Sequence, residues 1–287
     1  MMKLNKVTRK TFTIRESLRS SDYITPSFGY GCLYNCSYCY MKRHKPEGLD
    51  VATNIGDILT QINDHAYFYA DVKKPNQTHS TYMTYDISCN EDFALHAKYY
   101  DWQRIFQFFV EHPVAMATFA TKYVNPKLLD FNPQGKVRVR FSLMPQHMSS
   151  IHEPGTTKII DRIKAINVFI EAGYDVHVNY SPIIVYDGWL KDYEFIFHMM
   201  NDYVDYKDAV LAECIFLTHN QKRHDYNLVY NPRAEDDLWT SEIQEHKTSQ
   251  YGGKNLRYKI PLKRKFINQF KEVHNRIIPW NKIRYIF

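Results

Sequence analysis

Three of the chain's five cysteines fall in one short stretch, Gly29-Tyr30-Gly31-Cys32-Leu33-Tyr34-Asn35-Cys36-Ser37-Tyr38-Cys39-Tyr40. This C-x3-C-x2-C spacing constrains the fold more than any other feature, because thiolates so close converge on one soft-metal centre only from a tightly wrapped loop. Gly29 and Gly31 let the backbone make that close approach. Three ligands leave one iron of a four-iron cluster open to a cofactor or substrate. A structural zinc site would need a fourth Cys or His, for which His44 is the nearby candidate. A disulfide fits poorly, since three crowded cysteines cannot pair evenly.

The remaining sequence must build a scaffold for this loop. A chain of 287 residues, 44% hydrophobic, can bury a sizeable core. Met1-Met2-Lys3-Leu4-Asn5-Lys6 runs into Thr and Arg rather than an apolar segment, so no secretory signal is read. No stretch approaches the roughly twenty apolar residues of a membrane span, and the expected location is the cytoplasm. Strand-like runs at 24–31, 81–87, 115–121, 137–143, 176–181 and 209–217 alternate with helical patterns at 54–68, 101–111, 157–172 and 189–203. About six β–α units predict a parallel sheet, open or curled into a barrel, with ligands at the C-terminal ends of the strands. Beyond Leu217 the chain turns polar, with a helix expected near 233–238. A strand at 256–260, a helix at 263–277 and a strand at 282–287 then read as a small α+β appendage. Three units are expected: a basic N-terminal extension over 1–22, the barrel over 23–217, and an appendage over 218–287 that contacts substrate or nucleic acid.

The formal charge of +6 is compatible with a polyanionic partner without marking a dedicated nucleic-acid binder. Lysines and arginines crowd 3–19 and 254–265, and tyrosines interleave with the second group. Such a run is either a solvated face or a nucleic-acid contact. Cys214, inside an apolar strand, reads as core. His219, His224 and Asp225 read as a polar loop or a small metal cluster. Asn179 and Ser181 are candidates by their strand-end position alone.

The cysteine loop resembles that of the radical S-adenosylmethionine enzymes, whose C-x3-C-x2-C signature carries an aromatic residue before its last cysteine, here Tyr38. Within that superfamily the chain is most similar to the spore photoproduct lyase family. The similarity rests on Cys36-Ser37-Tyr38-Cys39-Tyr40, Tyr85-Asp86-Ile87-Ser88-Cys89, Thr121-Lys122-Tyr123, Arg140-Phe141-Ser142-Leu143 and Glu153-Pro154-Gly155-Thr156. Ser249-Gln250-Tyr251-Gly252-Gly253-Lys254 and Ile283-Arg284-Tyr285-Ile286-Phe287 extend it to the end of the chain.

The resemblance implies an α/β fold with a partial (β/α)6 barrel, a [4Fe–4S] cluster on Cys32, Cys36 and Cys39, and S-adenosylmethionine as cofactor. Lys122 and Ser142 match family residues that contact that cofactor, and Asn90 is grouped with them. Cys89 matches the hydrogen-atom donor, and Tyr38 and Tyr40 match the radical relay. Lys254, Arg257 and Tyr258 fall on the family's lesion-contacting hairpin, where a phosphate contact and stacking on an extruded base would combine. The implied activity is a carbon–carbon lyase that forms a 5′-deoxyadenosyl radical and returns a methylene-bridged thymine dimer in DNA to two thymines. The family's Cys-Thr-Ser-Asp is here Cys89-Asn90-Glu91-Asp92, which keeps open radical modification of another pyrimidine in DNA or RNA. A reading of another class is a non-catalytic, metal-stabilised nucleic-acid-binding protein. Partners expected for the enzyme are DNA and an external electron donor such as flavodoxin or ferredoxin, with the protein acting as a monomer away from membranes.

Overall fold

The computed structural model describes residues 3–17, 19–72, 78–248 and 252–287. Met1 and Met2 of the expected N-terminal extension lie outside the described residues, as do Ser249, Gln250 and Tyr251 of the family-like segment. The chain opens with β1 (Leu4–Val7), β2 (Arg15–Glu16), β3 (Tyr23–Ile24), β4 (Gly29–Gly31) and β5 (Leu49–Ala52). Strands β1 and β4 flank β5 in a small sheet, so the basic start of the chain is built into the fold rather than left as an extension. Helix α1 (Ile55–Tyr69) precedes β6 (Met83–Asp86); α2 (Phe93–His96) and α3 (Trp102–Glu111) precede β7 (Ala115–Thr121) and β8 (Val137–Ser142). Helices α4 (Gln146–His152) and α5 (Ile159–Glu171) lead to β9 (Asp175–Ile183), and α6 (Trp189–Tyr203) to β10 (Leu211–Phe216). Helix α1 turns Ile58, Leu59, Ile62 and Ala66 inward at helical spacing. Burying each such Ile or Leu side chain contributes about 1.5–3 kcal/mol.

Strands β3, β6, β7, β8, β9 and β10 lie parallel and side by side. The sheet curls into a half-barrel, and its two ends come close to each other. Beyond β2, at one edge, Ser20 Oγ lies 2.7 Å from Tyr285 Oη near the other edge. Arg284 donates to the Arg19 carbonyl at 2.7 Å, and the Arg19 guanidinium lies 3.8 Å from the Phe287 ring centroid.

Parallel strands covered on both faces usually read as continuous apolar runs, but here they alternate. In β8, Val137, Val139 and Phe141 pack into the core, while Arg138, Arg140 and Ser142 occupy the opposite face. In β9, Val176, Val178 and Tyr180 join the core, with His177 and Asn179 between them. The concave face is therefore lined with buried polar groups. Arg140 spans it, pairing with Asp86 of β6 at 2.7 Å and Glu213 of β10 at 3.4 Å.

The last part of the chain comprises β11 (Thr218–Asn220), α7 (Gln221–Tyr230), α8 (Pro232–Leu238), β12 (Gln244–Thr248), β13 (Lys254–Tyr258), α9 (Ile260–Ile277) and β14 (Ile283–Ile286). The stretch grouped as 218–287 divides in two. Strands β11, β13 and β12 form their own antiparallel sheet, whereas β14 pairs parallel with β10 and extends the half-barrel. Phe270 of α9 packs edge-on against Tyr193 and Phe197 of α6. The apolar faces of α9 and β14 thus find their partners in the barrel. Among the described residues, no helix is long and apolar enough to cross a membrane.

Candidate active site

The cysteine loop leaves β4 and runs over the end of the half-barrel. Gly31 has φ +104°, and a Cβ there would lie 2.6 Å from the Gly48 carbonyl oxygen; a Cβ on Gly29 would meet the Glu91 carboxylate at 2.2 Å. Gly31 is therefore required by the close approach, whereas at Gly29 the Glu91 carboxylate would have to shift. The loop is held from several sides. The Leu33 amide donates to His96 Nε2 at 3.3 Å, and His96 Nδ1 pairs with Glu91 at 2.8 Å. Lys42 donates to the Cys32 carbonyl at 2.8 Å. Arg223 and Asn227 of α7 both donate to the Ser37 carbonyl at 2.9 Å, and Arg223 also reaches the Cys36 carbonyl at 3.2 Å. Ser37 Oγ lies 2.7 Å from His152 Nδ1, whose other ring nitrogen is 3.1 Å from Asp237.

All three cysteines are free. Burial and the neighbouring Asp92 push the Cys32 thiol up to about 12. Burial also pushes the Cys36 thiol well above its ordinary value, with Lys122 opposing and Glu153 and the other two thiols adding to it. Thiols so placed ionise when a cationic centre sits among them. Their sulfurs are not gathered round one point as ligands of a single ion are; among the described residues, His219, His224 and Glu235 form the group that is. A cluster needs that wider spread, because its irons occupy separate corners. Zinc needs four donors about 2.0–2.3 Å from one centre, and His44, its candidate fourth ligand, already accepts a hydrogen bond from Arg43 at 2.8 Å. The donor set fits a cluster better than zinc.

Cys89 lies beyond the end of β6. Tyr40 follows Cys39 directly and donates its hydroxyl to the Cys89 carbonyl, with Cys89 Sγ 3.6 Å from the same oxygen. Tyr40 is 43% exposed, and its hydroxyl end reaches back to Cys89. Burial and Asp86 raise the Cys89 thiol, against the Tyr40 hydrogen bond and the charges of Arg15 and Arg140. At neutral pH the sulfur keeps its hydrogen.

At the end of β7, Asp92 fixes the backbone by accepting from Thr121 Oγ1 at 2.7 Å and from the Lys122 amide at 2.8 Å. The Lys122 ammonium is thereby aimed at Glu153, 3.8 Å away. Glu153 is buried and also accepts from Tyr38, from Ser149 at 3.2 Å and from Arg162 at 3.0 Å. Burial alone would raise its carboxyl, but Arg162, Lys122 and Tyr38 hold it below the usual range. Arg162 also donates to the Ser142 carbonyl at 2.8 Å, tying the end of β8 to the same hub.

A sequence profile described as spore photoproduct lyase matches residues 3–287. The chain belongs to the spore photoproduct lyase family. It is 28% identical to the spore photoproduct lyase of Bacillus subtilis over 67% of this chain and 55% of that protein. With that of a Geobacillus species it is 25% identical over 96% of this chain and 80% of the relative. The chain thus spans little more than half of the Bacillus relative. A solved spore photoproduct lyase variant with bound AdoMet (S-adenosylmethionine) and dinucleoside spore photoproduct shares the fold, with TM-score 0.86 and 21% identity over 99% of this chain and 82% of the other.

Of the residues singled out in the sequence of this family member, the structure gathers Cys32, Cys36, Cys39, Tyr38, Tyr40, Cys89, Lys122 and Ser142 at one end of the half-barrel. Asn90 is engaged within the protein, its amide donating to Ser27 Oγ and its carbonyl accepting from the Gly31 amide at 3.1 Å. Glu91, where the sequence leaves the family pattern, helps hold the cysteine loop through His96, and Asp92, which keeps the family's aspartate, holds the end of β7. The stacking role expected for Tyr258 is corrected by its placement. It is 2% exposed, and its hydroxyl accepts from the Val185 amide at 2.9 Å, so it packs in the core. Arg257 is paired with Glu245 at 2.9 Å, whereas Lys254 is exposed.

His219 and His224 do meet, but around Glu235, at 2.7 and 2.5 Å, and Asp225 accepts instead from Gln221 at 2.8 Å. Asn227 gives Glu235 a third partner at 2.6 Å, which makes this a buried hydrogen-bonded hub behind the cysteine loop, with His219 Nδ1 and Asn227 Oδ1 left without partners among the described residues. Sequence reasoning missed Glu153, Arg162, Arg223 and Asn227. Glu153 lay in a family-like segment and could have been flagged as a charge next to proline and glycine; the two α7 residues carried no local signal.

Proposed function

We propose that this family member is a radical S-adenosylmethionine enzyme that splits a methylene-bridged thymine dimer in DNA into two thymines. The observation that carries this reading is the bridge between the cysteine loop and a separate thiol: Tyr40, adjacent to Cys39, reaches within 3.6 Å of Cys89 Sγ. Cys32, Cys36 and Cys39 would hold the [4Fe–4S] cluster, and Lys122 and Ser142 would face the bound S-adenosylmethionine. Together those groups supply, when bound, a carbon radical able to take a hydrogen atom from the substrate.

The chain's own residues do the rest. Cys89 gives the hydrogen of its S–H bond to the substrate radical, so that a C–H bond forms as the S–H bond breaks. Its raised thiol suits this step, since a thiolate has no hydrogen to give. Tyr40 then passes its O–H hydrogen to the sulfur, and the phenoxyl radical so left regains one proton from solvent and one electron, relayed through Tyr38 from an external one-electron donor. In Tyr38 the hydroxyl proton is held by Glu153, so oxidation of this phenol would move the proton to the carboxylate and the electron onward. Lys254 would contact a DNA phosphate. We also assign to this reading an external one-electron donor such as flavodoxin or ferredoxin, and a monomeric, cytoplasmic protein.

The test is anaerobic reconstitution with iron and sulfide, followed by incubation with S-adenosylmethionine, dithionite and dinucleoside spore photoproduct. Release of 5′-deoxyadenosine together with thymidylyl-thymidine is expected, and neither should form with Cys36→Ala. Nucleic-acid binding without cleavage of S-adenosylmethionine would establish the non-catalytic reading instead.

A further inference from the structure

Helix α7 is inside out. Its buried side chains are Arg223, His224 and Asn227, which clamp the cysteine loop and the Glu235 hub. Its outer face carries Tyr226, Leu228, Val229 and Tyr230, exposed by 45%, 53%, 70% and 71%. A helix normally buries its apolar stripe, and contiguous exposed apolar surface rimmed by polar groups marks an interaction site. The rim here is mostly cationic, although α7 also exposes Asp225. Beside α7 lies a cleft of about 700 Å³ lined by Cys32, five cations (Lys3, Lys42, Arg43, Lys222 and Arg223) and one carboxylate, Glu47. The Arg223 guanidinium lies 4.9 Å from the Tyr226 ring centroid while its nitrogens hold the Cys36 and Ser37 carbonyls. One surface therefore combines apolar contact area, positive charge and a through-residue link to the cysteine loop.

We propose that this face, the outer side of α7 with the Arg43 and Lys222 rim, docks an acidic one-electron carrier protein that reduces the cluster. The proposal rests on the cluster reading above. The step is a bare electron transfer: the carrier's reduced flavin or iron–sulfur centre loses one electron, the oxidised cluster gains it, and no atom or proton changes hands. Charge complementarity selects an acidic partner, and Leu228 and Val229, which offer nothing to phosphate, favour protein over nucleic acid. The cleft is lined by Cys32 and not by Cys89, which separates it from the donor thiol, although Arg43 and Lys222 also line a neighbouring cleft with Lys254.

The experiment uses reconstituted holoenzyme and, as probe, reduced bacterial flavodoxin, following the bleaching of the cluster's visible absorption by stopped flow. Arg43→Glu with Lys222→Glu should lower the second-order rate constant about tenfold at low salt, with the difference shrinking as salt rises. Val229→Ser with Tyr230→Ser should slow reduction severalfold at all salt concentrations. Reduction by dithionite should be unchanged in both variants. The proposal is overturned if flavodoxin reduces both variants as fast as the wild type, or if dithionite reduction slows equally. It is overturned too if the substitutions act by abolishing a wild-type dimer in sedimentation or by weakening DNA binding. A protein that binds no iron at all would instead refute the cluster reading.

Discussion

Glu153→Gln removes the one negative charge that Arg162, Lys122 and Tyr38 share. Glu153 and Arg162 are both fully buried, so water does not screen their pairing. Breaking a buried pair from one side leaves the other charge uncompensated, at about 3–5 kcal/mol, whereas an exposed pair is worth under about 1 kcal/mol. Glutamine preserves shape and one acceptor, so the lower end applies, and at about 2–4 °C per kcal/mol the Tm should fall by roughly 6–12 °C. The pH dependence has a definite sign. Because the folded carboxyl is held below its ordinary 4.5, its stabilisation is fully present above that value and is lost as pH falls through the folded one. The gap between wild type and Glu153→Gln in chemical denaturation should therefore be constant near neutrality and narrow on acidification. A gap below about 1 kcal/mol at pH 7, or one that widens in acid, would refute the hub's assigned role.

Gly31→Ala should cost iron retention as well as stability, because its φ of +104° is strained for alanine and the new Cβ would press on the Gly48 carbonyl; iron per chain after desalting measures this. Tyr40→Phe should keep the cluster and cofactor cleavage while multiple-turnover repair falls at least tenfold, since Cys89 loses its neighbouring hydrogen source; single- and multiple-turnover product counts distinguish the two. Lys254→Ala should lower the slope of log K against log salt for DNA by about one unit, whereas Arg257→Ala should change it less, its charge being shared with Glu245. Equal slopes for the two variants in a fluorescence-anisotropy titration would count against this distinction.

Much of the scaffold was legible because the β–α alternation carries long, clearly periodic segments: the limits of β7 and α6 coincide with those expected. The cysteine spacing likewise announced the loop. The membership of β14 was not legible, because a terminal strand carries no mark of which edge it will join, and the long connection over α9 does not decide it. Helix α7 was missed for a physical reason: its buried face is polar and its exposed face apolar, which inverts the pattern that sequence reading depends on. Tyr258 was misjudged because its segment is rich in cations and tyrosines. Strand alternation places Leu256 and Tyr258 inward, with Arg257 between them at the half-buried edge. The same period-two reading of Val137-Arg138-Val139-Arg140-Phe141-Ser142 would have exposed the polar concave face.

The account turns on Cys89 as the hydrogen donor to the substrate radical, and Cys89→Ala tests it most directly. Incubated anaerobically with S-adenosylmethionine, reductant and dinucleoside spore photoproduct, this variant should retain its iron and still release 5′-deoxyadenosine, because Cys89 is not among the cluster's cysteines. Mass spectrometry of the nucleotide products should then show flux diverted from thymidylyl-thymidine to adducts of the unquenched thymine radical. If wild type and Cys89→Ala give the same product spectrum from lesion that the wild type turns over, the thiol merely packs beside Tyr40 and the account is wrong.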